Sequence, residues 1–363
     1  MEAQVVFHQR YHRNMLLRLG IAVIALVCVS AGESHTKNVI LITADGLRWQ
    51  DLFTGMDPML RDKAGTLKDS LWKDTSEERR LALMPFFWGK LASRGVVLGN
   101  VNKNSSVKVS NGFRVSYPGY SEILTGRSQD EVIRGNDKIQ NPTETVLEFV
   151  RDKLKLQQKQ VALFASWETF RFIGEKQPGS IFINAGYQDA TGSDRMRELS
   201  RLQSEALTPW DSVRHDYVTL QMALDHLRRE RPRMMYISFG ETDDWAHDRR
   251  YDRVLAAIQY FDEAIRQVYE FVESSPEYRG KTSIVITSDH GRGSTLEDWH
   301  GHGSKVSGAE QIWMAVIGPD TQARGEVSNS TPVLQRDIAP TILKLFGLKP
   351  EEYAGAAGHA IPY

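Results

Sequence analysis

Four short clusters of carboxylate and imidazole carry the chemistry this chain offers: Asp45-Gly46, Asp243-x-x-x-His247, Asp289-His290-Gly291 and Trp299-His300-Gly301-His302-Gly303. Carboxylate oxygens and imidazole nitrogens without thiolate form a ligand set suited to Zn²⁺ and acceptable to Mn²⁺, Fe or Co. Three Asp and two or three His exceed what one tetrahedral ion takes, so the count points to two divalent ions. Taken singly, each cluster has a plainer reading. Asp-Gly is a common turn, Asp243 and His247 at i, i+4 also make an ordinary helix-surface pair, and His300 or His302 suits a solvated loop. Placement outweighs these readings, because the clusters follow apolar runs, and one sheet edge would gather what lies beyond the ends of its strands.

A hydrolase also needs a nucleophile. In Ser116-Tyr117-Pro118-Gly119-Tyr120-Ser121-Glu122-Ile123-Leu124-Thr125-Gly126, the proline suits a first helical turn and Gly126 a helix stop. The pattern predicts a short helix starting near Pro118, with Ser116 at its N-terminal mouth, where free N–H groups favour an anion. Metal coordination activates such a hydroxyl; the competing reading makes Ser116 a helix N-cap. Ser121, one turn further on, is the weaker candidate.

The elements that must position these residues alternate along the chain. Asn38–Ala44, Val161–Ala165, Met234–Phe239, Ser283–Thr287 and Ile312–Ile317 are nearly continuous apolar runs, suited to strands buried on both faces of a parallel sheet. Helical spacing fills Thr143–Lys155, Tyr217–Arg229 and Asp252–Val272. The alternation predicts a layered α/β/α fold with a largely parallel central sheet in a single domain over residues 32–363. The polar stretch 168–209, with a weak strand signal at Ile181–Asn184, is the candidate for a lid or small cap. Composition agrees: 41% hydrophobic and 25% charged residues are those of a globular protein, not of a disordered or coiled-coil chain. A formal charge of −1 gives no reason to expect duplex nucleic acid as a partner.

Residues 1–31 read as a signal peptide: Arg10, Arg13 and Arg18 precede an apolar run, Leu19–Val29, followed by small residues at Ser30-Ala31. The run is shorter than the roughly 20 residues that cross a bilayer, so no stable membrane span is expected after cleavage and the product is expected in a periplasmic or secreted location. The only cysteine, Cys28, would leave with the signal.

Asp45 after the first strand, Ser116-Tyr117-Pro118 before a helix, Asp243-x-x-x-His247, Asp289-His290-Gly291 and a late His-Gly resemble, in order over residues 38 to 348, the alkaline phosphatase superfamily. The type I phosphodiesterase/nucleotide pyrophosphatase branch is the nearest in pattern. The resemblance implies two zinc ions at the carboxyl edge of the sheet, one held by Asp243, His247 and His302, the other by Asp45, Asp289, His290 and the nucleophile Ser116. His302 is preferred to His300 because it directly precedes a glycine. Asn136 falls where relatives keep an asparagine that contacts a phosphoryl oxygen. The implied activity is hydrolysis of a small phosphate ester, diester or monoester, through a phosphoseryl intermediate; phosphonate and sulfate esters and a phosphomutase are the alternatives.

The sequence departs from that pattern in two places. The phosphodiesterase branch commonly has Thr, an aromatic residue, Pro and Asn where this chain has Ser116, Tyr117, Pro118 and Gly119. Sulfatases need Cys or Ser, then x-Pro-x-Arg, for conversion to formylglycine, and Tyr120 stands where the arginine belongs. Arg48, Trp49, Trp245, Arg292 and Trp299 lie close in sequence to the expected ligands and are candidates for lining a substrate pocket.

Overall fold

The run Asn38–Ala44 is buried along its whole length, and its alternate side chains enter different cores. Ile40, Ile42 and Ala44 join one hydrophobic cluster, Val39 and Leu41 the other. Each fully buried Val, Leu or Ile contributes about 1.5–3 kcal/mol, so both faces of the strand hold it in place. This is a computed structural model, and it describes residues 34–329 and 331–362. The expected signal peptide and Cys28 lie outside the described residues. Residues 34–363 form one compact unit.

The described strands are β1 (Asn38–Ala44), β2 (Gly95–Leu98), β3 (Val107–Lys108), β4 (Val161–Ala165), β5 (Phe182–Ala185), β6 (Met234–Phe239), β7 (Thr282–Thr287), β8 (Gln311–Ile312), β9 (Met314–Ile317), β10 (Gly325–Glu326) and β11 (Val333–Leu334). Eight of them form one sheet in the order β10-β2-β9-β7-β1-β6-β4-β5; the other three form a small sheet, β11-β3-β8. The pairs β7-β1, β1-β6, β6-β4 and β4-β5 are all parallel. With helices between the strands and cores on both faces, this is the expected layered α/β fold.

The expected apolar run Ile312–Ile317 departs from a parallel strand in two ways. It divides, Ile312 pairing in the small sheet and Met314–Ile317 in the large one, and β9 runs antiparallel to both β7 and β2. The connection from β7 turns through residues 288–310 without returning to the opposite edge of the sheet, so the chain re-enters in the reverse direction. β2, only four residues long, carried no periodicity to announce it.

Helices extend close to their expected bounds: Val146–Lys153 behind a Thr145–Glu148 capping box, Asp216–Glu230, and Tyr251–Ser274. The stretch 168–209 contributes edge strand β5 and the helix Asp194–Glu205, which Ser193 caps by accepting from Met196 N–H. Among the described residues no helix is long and apolar enough to cross a membrane.

Candidate active site

Strand order decides what meets at the carboxyl edge. β1 lies between β7 and β6, so Asp45, just past the end of β1, is flanked by Ser288-Asp289-His290 after β7 and by the helix Glu241–His247 after β6. His290 Nε2 lies 3.3 Å from Asp45 Oδ1, 3.4 Å from Asp289 Oδ2 and 3.7 Å from Asp243 Oδ1. His247 Nε2 stands 3.1 Å from Asp243 Oδ2 and 3.0 Å from His302 Nε2, while His302 Nε2 is 3.8 Å from Asp243 Oδ1. The six expected Asp and His ligands therefore meet in one cluster. His300 does not: its ring packs edge-on against Trp299 at 5.9 Å, whereas the His302 ring stacks on His290 at 3.9 Å.

Ser116 is brought in by a further element, in the first turn of the helix Ser116–Thr125, which begins two residues earlier than expected and ends at Gly126 (φ +71°). Its Oγ is 3.4 Å from His290 Nε2 and 3.5 Å from Asp45 Oδ1. The N-cap is Val115, with no side-chain cap, so Ser116 is not spent on capping. Ser121 Oγ instead accepts from Gln129 Nε2 at 2.5 Å, as part of the buried packing. Gly119 is required by close approach, since a Cβ there would lie 2.4 Å from the Asp289 carbonyl oxygen. The branch asparagine at this position would not fit this packing.

Asn136 is exposed beside the same helix end, where its Oδ1 accepts from Tyr117 N–H at 2.9 Å. That bond changes one expectation. The Tyr117 N–H is committed to Asn136 and Pro118 has none, so of the N–H groups in this first turn that of Ser116 remains open to an anion.

The donor set fits divalent ions. Imidazole Nδ1 of His290 donates to Gly291 O at 3.0 Å and that of His302 to Arg114 O at 3.1 Å, so in both rings Nε2 is the nitrogen turned to the cluster. Burial holds the His302 imidazole far below its ordinary pKa and also lowers His247, with the charge on His290 adding to both, which leaves them neutral with free lone pairs. For His290, burial works against the charged form, but Asp289 and Asp45 outweigh it and raise the pKa to about 9. Burial and then Asp45 push the Asp289 carboxyl well above the carboxylate range. Its Oδ2 is buried with no hydrogen-bond partner among the described residues. Two buried carboxylates against one imidazole, with an orphaned oxygen between them, form a site that a cation completes.

Other contacts in the site have no forewarning in the motifs. Tyr120 O–H donates to Asp45 Oδ2 at 3.0 Å, Gly46 N–H to Asp289 Oδ1 at 2.9 Å and Thr242 O–H to Asp45 O at 2.5 Å. Tyr120 was findable, being four residues after Ser116 and hence on the same helix face. Arg292 is buried and donates to Gly46 O at 3.1 Å, to Asp243 O at 3.2 Å, to His300 O and to the Asp243 carboxylate. Burial lowers its pKa to about 9.

The expected pocket lining is corrected in several places. Arg48 is buried and committed to Asp51 at 2.8 and 2.9 Å and Asp57 at 3.1 Å; Trp299 packs edge-on against Tyr251 at 5.4 Å. Trp49 packs against the larger core. Trp245 does too, but it also meets Trp210 at 4.7 Å close to His247.

The sulfatase family profile matches residues 37–348. Among solved structures, the phosphonate monoester hydrolase of Agrobacterium radiobacter is similar at TM-score 0.56 and 14% identity, over 90% of this chain and 76% of that one. Wild-type alkaline phosphatase PafA gives TM-score 0.58 at 10% identity, over 91% and 98% of the two chains. A protein in the alkaline phosphatase superfamily from Vibrio parahaemolyticus gives 0.53 at 14%, over 91% and 71%. At such identities the structural likeness speaks for the fold alone. No curated protein matches the chain.

Proposed function

The chain belongs to the sulfatase family, hydrolases of the alkaline phosphatase superfamily, and from that premise we propose that it hydrolyses small phosphoric esters with Ser116 as nucleophile and two divalent ions, zinc by preference. The carrying observation is the meeting of Ser116 Oγ, His290 and Asp45 within 3.5 Å of one another. Asp45, Asp289, His290 and Ser116 would hold one ion, and Asp243, His247 and His302 the other. When bound, the ions lower the pKa of the serine hydroxyl and neutralise charge on the phosphoryl oxygens.

The chain's own groups do the rest. Asp45 Oδ1 faces the Ser116 hydroxyl and accepts its hydrogen bond. Ser116 Oγ forms the new bond to phosphorus as the bond to the leaving oxygen breaks in line, and water then cleaves the phosphoserine and regenerates the hydroxyl. Asn136, fixed beside the helix mouth by its bond from Tyr117 N–H, would use its amide NH2 to stabilise equatorial oxygens. Tyr120 holds Asp45 in place.

A phosphoric diester or monoester is the reading the motif spacing supports. Phosphonate or sulfate esters are the second, supported by the family and by the phosphonate monoester hydrolase likeness. Against sulfate stands Tyr120, which fills the formylglycine-motif arginine position with a phenol bonded to Asp45. Export through residues 1–31 rests on their basic-then-apolar order. The test is turnover of matched p-nitrophenyl phosphate, bis(p-nitrophenyl) phosphate, phenylphosphonate and p-nitrophenyl sulfate, with zinc and after chelation. Chelator-sensitive turnover of a phosphoric ester is expected; hydrolysis of the sulfate alone would overturn the substrate reading.

A further inference from the structure

Resting on the two-ion reading above, we propose that the halves of the site hold their ions unequally, and that Arg292 makes the half built on Asp243 the weak, exchangeable one. Arg292 spans three segments, donating to Gly46 O, Asp243 O and His300 O, and it turns a further N–H onto Asp243 Oδ1. The chain leaves room for it at Gly46, where φ is +57° and a Cβ would lie 2.8 Å from Nε and Nη2 of Arg292. The guanidinium is therefore a built part of the site.

Its charge sets the asymmetry. Among the described residues Asp243 is the one carboxylate paired with His247 and His302, and the Arg292 cation cancels it. The other half contains Asp45 and Asp289, whose described ion pairs are with His290. Arg292 also acts on Asp45 from a distance, but its hydrogen bonds reach only Asp243 among the carboxylates. Once His290 is neutral as a ligand, two carboxylates on one side therefore face a net charge near zero on the other, and divalent affinity follows ligand charge and site rigidity. Exposure adds to this. The His247 side chain is 50% exposed, against 7% for Asp45 and 0% for Asp289 and His290, so water reaches the weaker ion. Turnover then follows the free metal concentration, because the chain keeps one ion and exchanges the other.

The experiment is titration of the metal-stripped full chain with Zn²⁺ or Co²⁺, read by calorimetry and by metal content after dialysis. Wild type is expected to bind in two phases separated by at least about tenfold, and His247→Ala to lose the weaker phase alone. Arg292→Gln should tighten the weaker phase by roughly tenfold, within the range of changes next to metal ligands, while Arg292→Lys, which keeps the charge, stays near wild type. Two ions of equal affinity, or a weaker phase that loosens further in Arg292→Gln, would overturn the proposal while leaving the two-ion reading intact. A chain that binds no ion overturns both. If Arg292→Gln does not fold, the wild-type and His247→Ala titrations still decide: equal phases, or loss of the tighter phase, overturn the proposal.

Discussion

The half of the site built from Asp45, Asp289 and His290 and the half built from Asp243, His247 and His302 differ in what carries them. The first stands directly at the ends of two adjacent parallel strands, β1 and β7, whose residues are buried throughout. The second hangs from a seven-residue helix and a long loop, with His302 oriented by the Arg114 carbonyl. Buried strands fix their terminal side chains through the core, whereas a short helix and a loop fix theirs through individual hydrogen bonds. On the proposed reading the buried half would serve as the rigid anchor for nucleophile and ion, and the exposed half as the side open to solvent and exchange.

The sharpest break in that comparison is Ser116→Ala. Turnover should fall by a factor of about 10³ or more while both halves still bind metal, since the other ligands remain. Unchanged turnover with metal retained would remove Ser116 as nucleophile. Next comes Tyr120→Phe, which deletes the bond to Asp45 Oδ2 in the buried half. A loss of roughly tenfold in affinity for the tighter ion is expected, with the weaker phase unmoved.

Stability against pH sharpens the contrast in the metal-free protein. Burial, then Glu241, raises the Asp216 carboxyl to about 7, and burial raises Asp262 to about 6. His290 lies higher still, at about 9, its carboxylate neighbours outweighing burial. For every group whose folded pKa is raised, the stabilisation is full below the unfolded pKa and is lost as pH rises through the folded one. Below about pH 6.5 these carboxyls are opposed by His302 and His247, whose lowered pKa adds stability as pH rises. Above about pH 6.5 those imidazoles are neutral in both states, and Asp216, Asp244 (raised by burial to about 8) and His290 leave the metal-free chain less stable as pH rises to about 9. Each proton the folded chain retains is worth about 1.4 kcal/mol per pH unit. Thermal melts with chelator should show this fall, and zinc should flatten its upper part, where His290 would be a ligand. A melting temperature that rises across that window in chelator would refute the sign. The smallest effect is expected for His300→Ala, less than about twofold in turnover, set beside a loss of the weaker metal phase in His302→Ala; the reverse would exchange the two histidines.

Much of this was legible in one dimension. Apolar runs buried on both faces announce parallel strands because each must satisfy two cores, and β1, β4 and β6 have the expected limits residue for residue. Asp45, Asp243, Asp289, His290 and Ser116 were legible for a related reason: each closely follows a strand or opens a helix, and local pattern marks those places, whereas His302 was marked only by the glycine after it. Arg48 and Trp299 misled because nearness in chain says nothing of direction; both turn into buried partners of their own. The antiparallel course of β9 was equally hidden, since apolar content does not encode strand direction.

The sequence by itself determined the α/β class, the residues available as ligands and the serine available as nucleophile, because periodicity and side-chain chemistry are local properties. Only the tertiary structure decided that β1 lies between β6 and β7, that His302 and not His300 meets His247, that Tyr120 meets Asp45 and that Arg292 meets Asp243. Those contacts join residues that are up to about 250 positions apart, as Arg292 is from Gly46, and they depend on strand order and loop path, which long-range packing alone fixes.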